Sequence, residues 1–178
     1  ISKSLVYNYF PSLTDVLQTL LKREYRTLRG SQIDAAELGT TFEQMVEKIT
    51  GAYMNYMQHR GLLLERLEAE PNVSGHGDPT KYNRDRAVNH LAEILHDHFD
   101  LEMDLAKAAV DISFGLPAAG GHYLIRQYAP SIQHNDTRSA AAAQQIEALT
   151  TEMILGSIQA VINAHTNTKK DLRTLKLR

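Results

Sequence analysis

A chain of 178 residues carrying a net charge of −2 is long enough to bury one substantial core. Apolar residues make up 43% of it, yet no apolar run approaches the ~20 residues of a membrane-spanning helix, so no membrane partner is expected. The absence of cysteine excludes disulfides, thiolate catalysis and Cys-ligated zinc, and it suits a cytoplasmic protein.

The chain opens with two helix start signals in close succession. Ser2 is a good N-cap for a short run over Lys3 to Tyr9, and Phe10-Pro11 ends that run because a residue before proline is pushed out of the α region. Ser12 or Thr14 then caps a second helix, with Asp15 in its first turn and Leu13, Val16, Leu17, Leu20 and Leu21 as its first apolar residues. The short run carries Lys3, Ser4, Tyr7, Asn8 and Tyr9 on its open face. One charge, two short donors and two phenolic hydroxyls can contact phosphate when a helix lies in the major groove, and residue chemistry alone fits a solvated N-terminal helix with two half-packed tyrosines better.

The string Ser-Lys-Ser-Leu-Val-Tyr-Asn-Tyr-Phe-Pro-Ser resembles the recognition helix of the tetracycline-repressor (TetR) family, whose pattern runs roughly Ser-x-x-x-x-Tyr-x-Tyr-Phe-x-Ser-Lys. Ser2, Tyr7, Tyr9, Phe10 and Ser12 fall at family positions, whereas Leu13 stands where the family usually has Lys. The match covers about a tenth of the chain.

Further along, the second helix continues through Glu24, Tyr25 and Leu28 to about Gly30. Thr40 or Thr41 caps the next, in which Phe42, Met45, Val46, Ile49, Tyr53, Tyr56 and Met57 trace one face up to Gly61. Methionine fills irregular gaps, so that face suits either a core or an adaptable cavity. Leu62, Leu63, Leu64 and Leu67 form a short buried helix, and residues 71–80 read as a loop. A helix from Lys81 carries Val88, Leu91, Ala92, Leu95 and Phe99 to a break near Asp100, after which Leu101, Leu105, Ala108, Ala109 and Ile112 form another stripe. Gly115-Leu116-Pro117 and Gly120-Gly121 are expected to interrupt that run. After a polar loop around 130–137, the last long helix buries Ile146, Leu149, Thr150, Met153, Ile154, Ser157, Ala160, Val161 and Ala164. Gly156, Ala160 and Ala164 recur every four residues and would let a second helix approach closely. No alternating β segment of useful length appears, so the chain is expected to be all-α.

Charge is unevenly spread. Lys3, Lys22, Arg23, Arg26 and Arg29 outnumber the acids of residues 1–30, and Lys169, Lys170, Arg173, Lys176 and Arg178 outnumber those of 167–178, which leaves the middle acidic. A basic end on an acidic body would suit docking on a polyanion.

Two enzymatic or metal readings compete. Glu93-Ile94-Leu95-His96 is half of a di-iron carboxylate signature, but no second Glu-x-x-His exists. His90, Glu93, His96 and His98, with Asp97 between the last two, leave an all-helical metal-binding protein or enzyme as the alternative reading. No nucleophile elbow, phosphate loop or His-Glu-x-x-His occurs, so no catalytic residue is assigned.

The resemblance implies a non-enzymatic, cofactor-free transcriptional regulator, a repressor released from double-stranded operator DNA by a small apolar or amphipathic effector. It implies that residues 1–12 end a helix-turn-helix domain whose first two helices precede this sequence. Residues 13–30 then form the linking helix and 31–178 a ligand-binding and dimerisation domain. A homodimer is expected from helices at roughly 102–128 and 138–165, with Met153, Gly156, Ala160 and Ala164 at its interface. The effector cavity is expected among the middle helices, lined by Tyr53, Tyr56 and Met57, by His90 and Ile94, and by Phe114 and His122.

Overall fold

The computed structural model describes residues 9–74, 80–134 and 137–177. Among them there is no strand, and the fold is all-α. Lys3, Ser4, Tyr7 and Asn8 lie outside the described residues.

Helix α1 spans Leu13–Glu37. Ser12 caps it: its oxygen accepts the Asp15 N–H at 3.2 Å while its hydroxyl donates to the Asp15 carboxylate at 2.7 Å. The helix passes through Gly30, where the sequence had suggested an end. A mid-helix glycine costs only about 1 kcal/mol, and the turns beyond it bury Gln32 and pack Ala36 on the core. Helix α2 spans Phe42–Glu68 under a Thr41 cap that accepts the Gln44 N–H at 3.2 Å. It also runs straight through its predicted end. Gly61 is where another helix crosses, since a Cβ there would sit 2.7 Å from Ile125 Cδ1 and 3.1 Å from Met57 Cε.

The short α3 (Pro71–Ser74) precedes α4 (Lys81–Phe99), which stops at Asp100 in the left-handed region, φ 59°. Helix α5 (Met103–Ser113) starts on Glu102, whose carboxylate accepts the Leu105 N–H at 3.0 Å. Helix α6 (Gly115–Gln133) corrects the expectation of an interrupted run. Pro117 lies in its first turn, where a missing N–H removes no helical bond. Gly120 and Gly121 lie inside the helix and serve close packing: a Cβ on Gly120 would meet Met54 Cε at 2.7 Å, and one on Gly121 would meet Met57 Cγ at 2.7 Å. The actual joint is Phe114, between α5 and α6. A second kink falls at Tyr128 (φ −121°, ψ 15°), two residues before Pro130. Helix α7 spans Thr137–His165, and a single 3-10 turn, Leu172–Thr174, follows it.

Two apolar cores sit along α2. Its N-terminal half, from Phe42 to Val46, packs with α4, α5 and the C-terminal half of α7. Its C-terminal half, from Tyr56 to Leu67, packs with α1, α6 and Ala142 and Ala143 of α7. Helix α1 runs antiparallel to α2, with Tyr25 donating to Glu68 at 2.8 Å and Gln18 to the Asn72 carbonyl at 3.1 Å. The C-terminal tail straps the opposite end. Leu172 is fully buried, and the Leu175 carbonyl accepts the Phe42 N–H at 2.8 Å. The basic residues of this tail are in part engaged within the fold: Lys170 Nζ donates to the His98 carbonyl at 3.0 Å. Within the tail, Arg173 is also engaged, with Glu43 and Glu152 each at 2.7 Å.

Candidate functional site

Two neighbouring apolar pockets, the lobes of one candidate site, lie beside the N-terminal half of α2 and share four wall residues. The smaller lobe, about 40 Å³, is lined by Phe42, Val46 and Thr50 of α2, Val110 and Ser113 of α5, Pro117 of α6 and Ile154 and Ile158 of α7. The larger, about 120 Å³, is bounded by Arg29, Gln32, Ile33 and Ala36 of α1 and by Asn83, Ala87 and His90 of α4. Met45, Ile49, Leu91 and Phe114 border both lobes.

The helical phase of α2 explains the inner wall. Phe42, Met45, Val46, Ile49 and Thr50 recur at three- and four-residue spacing, so they share one face. Thr50 is the polar member of that face. It is 1% exposed, and its hydroxyl has no hydrogen-bond partner. Ser113, the other hydroxyl in the smaller lobe, donates to the Ala109 carbonyl at 2.7 Å. Around the larger lobe Asn83 and His90 are exposed beside the apolar Ile33, and Arg29 donates to Gln32 at 3.1 Å, which sets a few polar groups at a mainly apolar mouth.

Of the expected effector-site residues, the structure brings Phe114 and His90 to this cavity. Ile94 packs against the same core without lining a lobe. Tyr53, Tyr56 and Met57 sit in the other core, about two turns farther along α2. Met57 is fully buried, and the half-buried Tyr53 phenol is pushed up to about 12 by burial and by Glu68. His122 is exposed, its ring nitrogen 3.0 Å from Glu65 Oε1. Thr50 and the α1 residues of the larger lobe were not anticipated. A threonine inside an otherwise apolar and aromatic stripe is the sequence signal that marks the first.

Sequence reading also missed a polar brace between α1 and α2. Glu24 is 1% exposed, and its carboxylate accepts Arg60 Nε at 2.5 Å, Arg60 Nη2 at 2.6 Å and the Tyr56 hydroxyl at 2.9 Å. Arg23 adds a contact at 3.3 Å. The Arg60 guanidinium holds the Glu24 carboxyl below the usual carboxylate range despite burial. Burial, and then Glu24 itself, push the Tyr56 phenol up.

Tyr9 is described and 77% exposed. Met153 is 50% exposed, Ala160 and Ala164 are exposed, and a Cβ on Gly156 would meet nothing within 4 Å. Leu149, one turn before Met153, is exposed too. These residues form an uncovered apolar stripe on α7, where the sequence had suggested a buried one. The histidines of α4 are dispersed: His96 donates to the Leu101 carbonyl at 2.8 Å, and the His98 carbonyl accepts Lys170 Nζ at 3.0 Å. Among the described residues no three His, Asp or Glu side chains stand together as metal ligands. No helix among them is long and apolar enough to cross a membrane.

The class these observations define is an all-helical protein with an apolar cavity, one lobe of which is walled by its first long helix. Compared with known protein families, curated proteins and solved structures, the chain matches none of them.

Proposed function

We propose that this chain is the effector-binding and dimerisation part of a ligand-responsive DNA-binding transcriptional regulator, a repressor released by a small amphipathic molecule. One observation carries the reading. The C-terminal half of α1 walls the cavity, while its N-terminal end follows directly on the segment that resembles a recognition helix. An occupant of the larger lobe presses on Arg29, Gln32, Ile33 and Ala36. A 25-residue helix is about 38 Å long and moves as a rod. The Glu24–Arg60 brace, between cavity and head, gives that rod a fulcrum. The uncovered stripe of Leu149, Met153, Gly156 and Ala160 supports a homodimer, since small residues let a second helix approach closely.

The test is fluorescence anisotropy of the full-length gene product on DNA from upstream of its own gene. Sequence-specific binding that weakens as an effector is added is expected. Lys3→Ala should flatten the salt dependence by about one counterion. A full-length protein that binds no DNA, or whose binding ignores every molecule that enters the cavity, overturns the proposal.

A further inference from the structure

We infer that the two lobes act as one site for a phenol-like molecule, a single aromatic ring bearing one hydroxyl, with Phe114 as the movable wall between them. This rests on the effector-site reading above and adds the chemistry of the ligand.

Size comes first. A lobe of about 40 Å³ holds little more than a water, which needs two or more polar partners, and Thr50 is the one unsatisfied group there. The two lobes together offer roughly 160 Å³, close to the ~150 Å³ of an apolar cavity known to admit benzene. One ring fills that volume, and a second fused ring exceeds it unless Phe114 moves aside.

The partition is next. Of the four side chains that border both lobes, Met45, Ile49 and Leu91 stand in the interiors of α2 and α4. Phe114 stands at the joint of α5 and α6 and is only half-buried. Its ring lies 5.8 Å from the Arg84 guanidinium, which is tied to Asp111 at 2.6 Å. A cation–π contact at a partly exposed site is weak. It therefore parks the ring without locking it, and rotation toward Arg84 joins the lobes.

The hydroxyl follows from Thr50. A buried hydroxyl without a partner destabilises the empty protein, and an apolar occupant leaves that cost in place. Thr50 Oγ1 lies behind the apolar surface of the smaller lobe, and a ligand hydroxyl there removes that cost once the side chain turns to meet it. Phenol should therefore bind better than toluene, which has nearly the same shape.

Calorimetric titration of the whole chain with phenol, toluene and 2-naphthol tests this. Phenol is expected to bind at least about 5-fold more tightly than toluene, and 2-naphthol to be excluded. Thr50→Val should abolish the preference, keep the toluene affinity and leave the thermal midpoint unlowered. Phe114→Ala should admit 2-naphthol. Equal binding of phenol and toluene, or a preference that survives Thr50→Val, overturns the hydroxyl assignment. Wild-type protein that takes 2-naphthol as readily as phenol overturns the role of Phe114. Binding as described with DNA affinity unmoved would defeat the regulator reading alone. DNA affinity that responds to some other molecule while no probe binds would defeat this inference alone.

Discussion

Replacing Glu24 by glutamine isolates the polar brace, because the two side chains have nearly the same shape. The carboxylate takes two bonds from Arg60 and one from Tyr56, all at 2.5–2.9 Å, and is shut off from water. Whichever way the new amide turns, its NH2 group meets an Arg60 donor, so one charged bond becomes a donor–donor clash and the ionic attraction is lost. A hydrogen bond to a charged group contributes about 1.5–3 kcal/mol, and removing one partner of a buried pair costs about 3–5 kcal/mol. Arg60 is 42% exposed and regains some hydration, which brings the expected loss to about 2–3 kcal/mol. For a chain of this length that is a fall of about 4–12 °C in thermal midpoint. The pH dependence gives an independent readout. The Glu24 pKa is lowered in the folded state, so its contribution is complete above the unfolded value of 4.5 and disappears as pH falls through the folded value. Wild type should therefore lose stability below pH 4.5 more steeply than Glu24→Gln, and the two should converge in acid. Midpoints followed by circular dichroism from pH 7 down to pH 3 measure both effects. Equal midpoints at pH 7 with parallel acid limbs would refute the reasoning.

Gly121→Ala should destabilise by about 1–3 kcal/mol through overpacking, because the added methyl lands 2.7 Å from both Met57 Cγ and Tyr53 Cε1. Urea unfolding measures it, and a neutral result would mean that α6 can back away from α2. Glu147 has its pKa raised by burial and then by Glu47, so its ionised form weakens the fold as pH rises past 4.5; Glu147→Gln should raise the thermal midpoint at pH 7, most visibly at low salt. Ala160→Glu places a carboxylate on the uncovered stripe of α7, where it meets water in the monomer and an apolar partner in a homodimer. Light scattering should then report a folded monomer, whereas a dimer left intact would put the interface on another face.

Some of this architecture needs only neighbours in sequence. Ser12 and Thr41 start helices because each side-chain oxygen reaches an N–H three residues on, at Asp15 and Gln44. The all-α class follows from the periodicity of apolar residues, and the stop at Asp100 was legible for the same local reason. Glycine was misleading because its local cost is small. At Gly30, Gly61, Gly120 and Gly121 about 1 kcal/mol of helix propensity is outweighed by packing, and at the last three the packing partner comes from a distant part of the chain. The same limit applies to the site. One stripe runs along the 27 residues of α2, and periodicity shows which side faces inward but not what it faces. Phe42 to Thr50 meet the cavity, whereas Tyr53, Tyr56 and Met57 meet α1 and α6 two turns away. Phe114 and His90 were expected beside a cavity on residue type alone, and it is the packing of α4 and of the α5–α6 joint against α2 that sets them at this one. Glu24 and Arg60 were not legible as a pair, for 36 residues separate them, and Glu24 sits in a run of ordinary surface charge. Only the antiparallel packing of α1 on α2 takes the carboxylate out of water and makes the guanidinium its necessary partner.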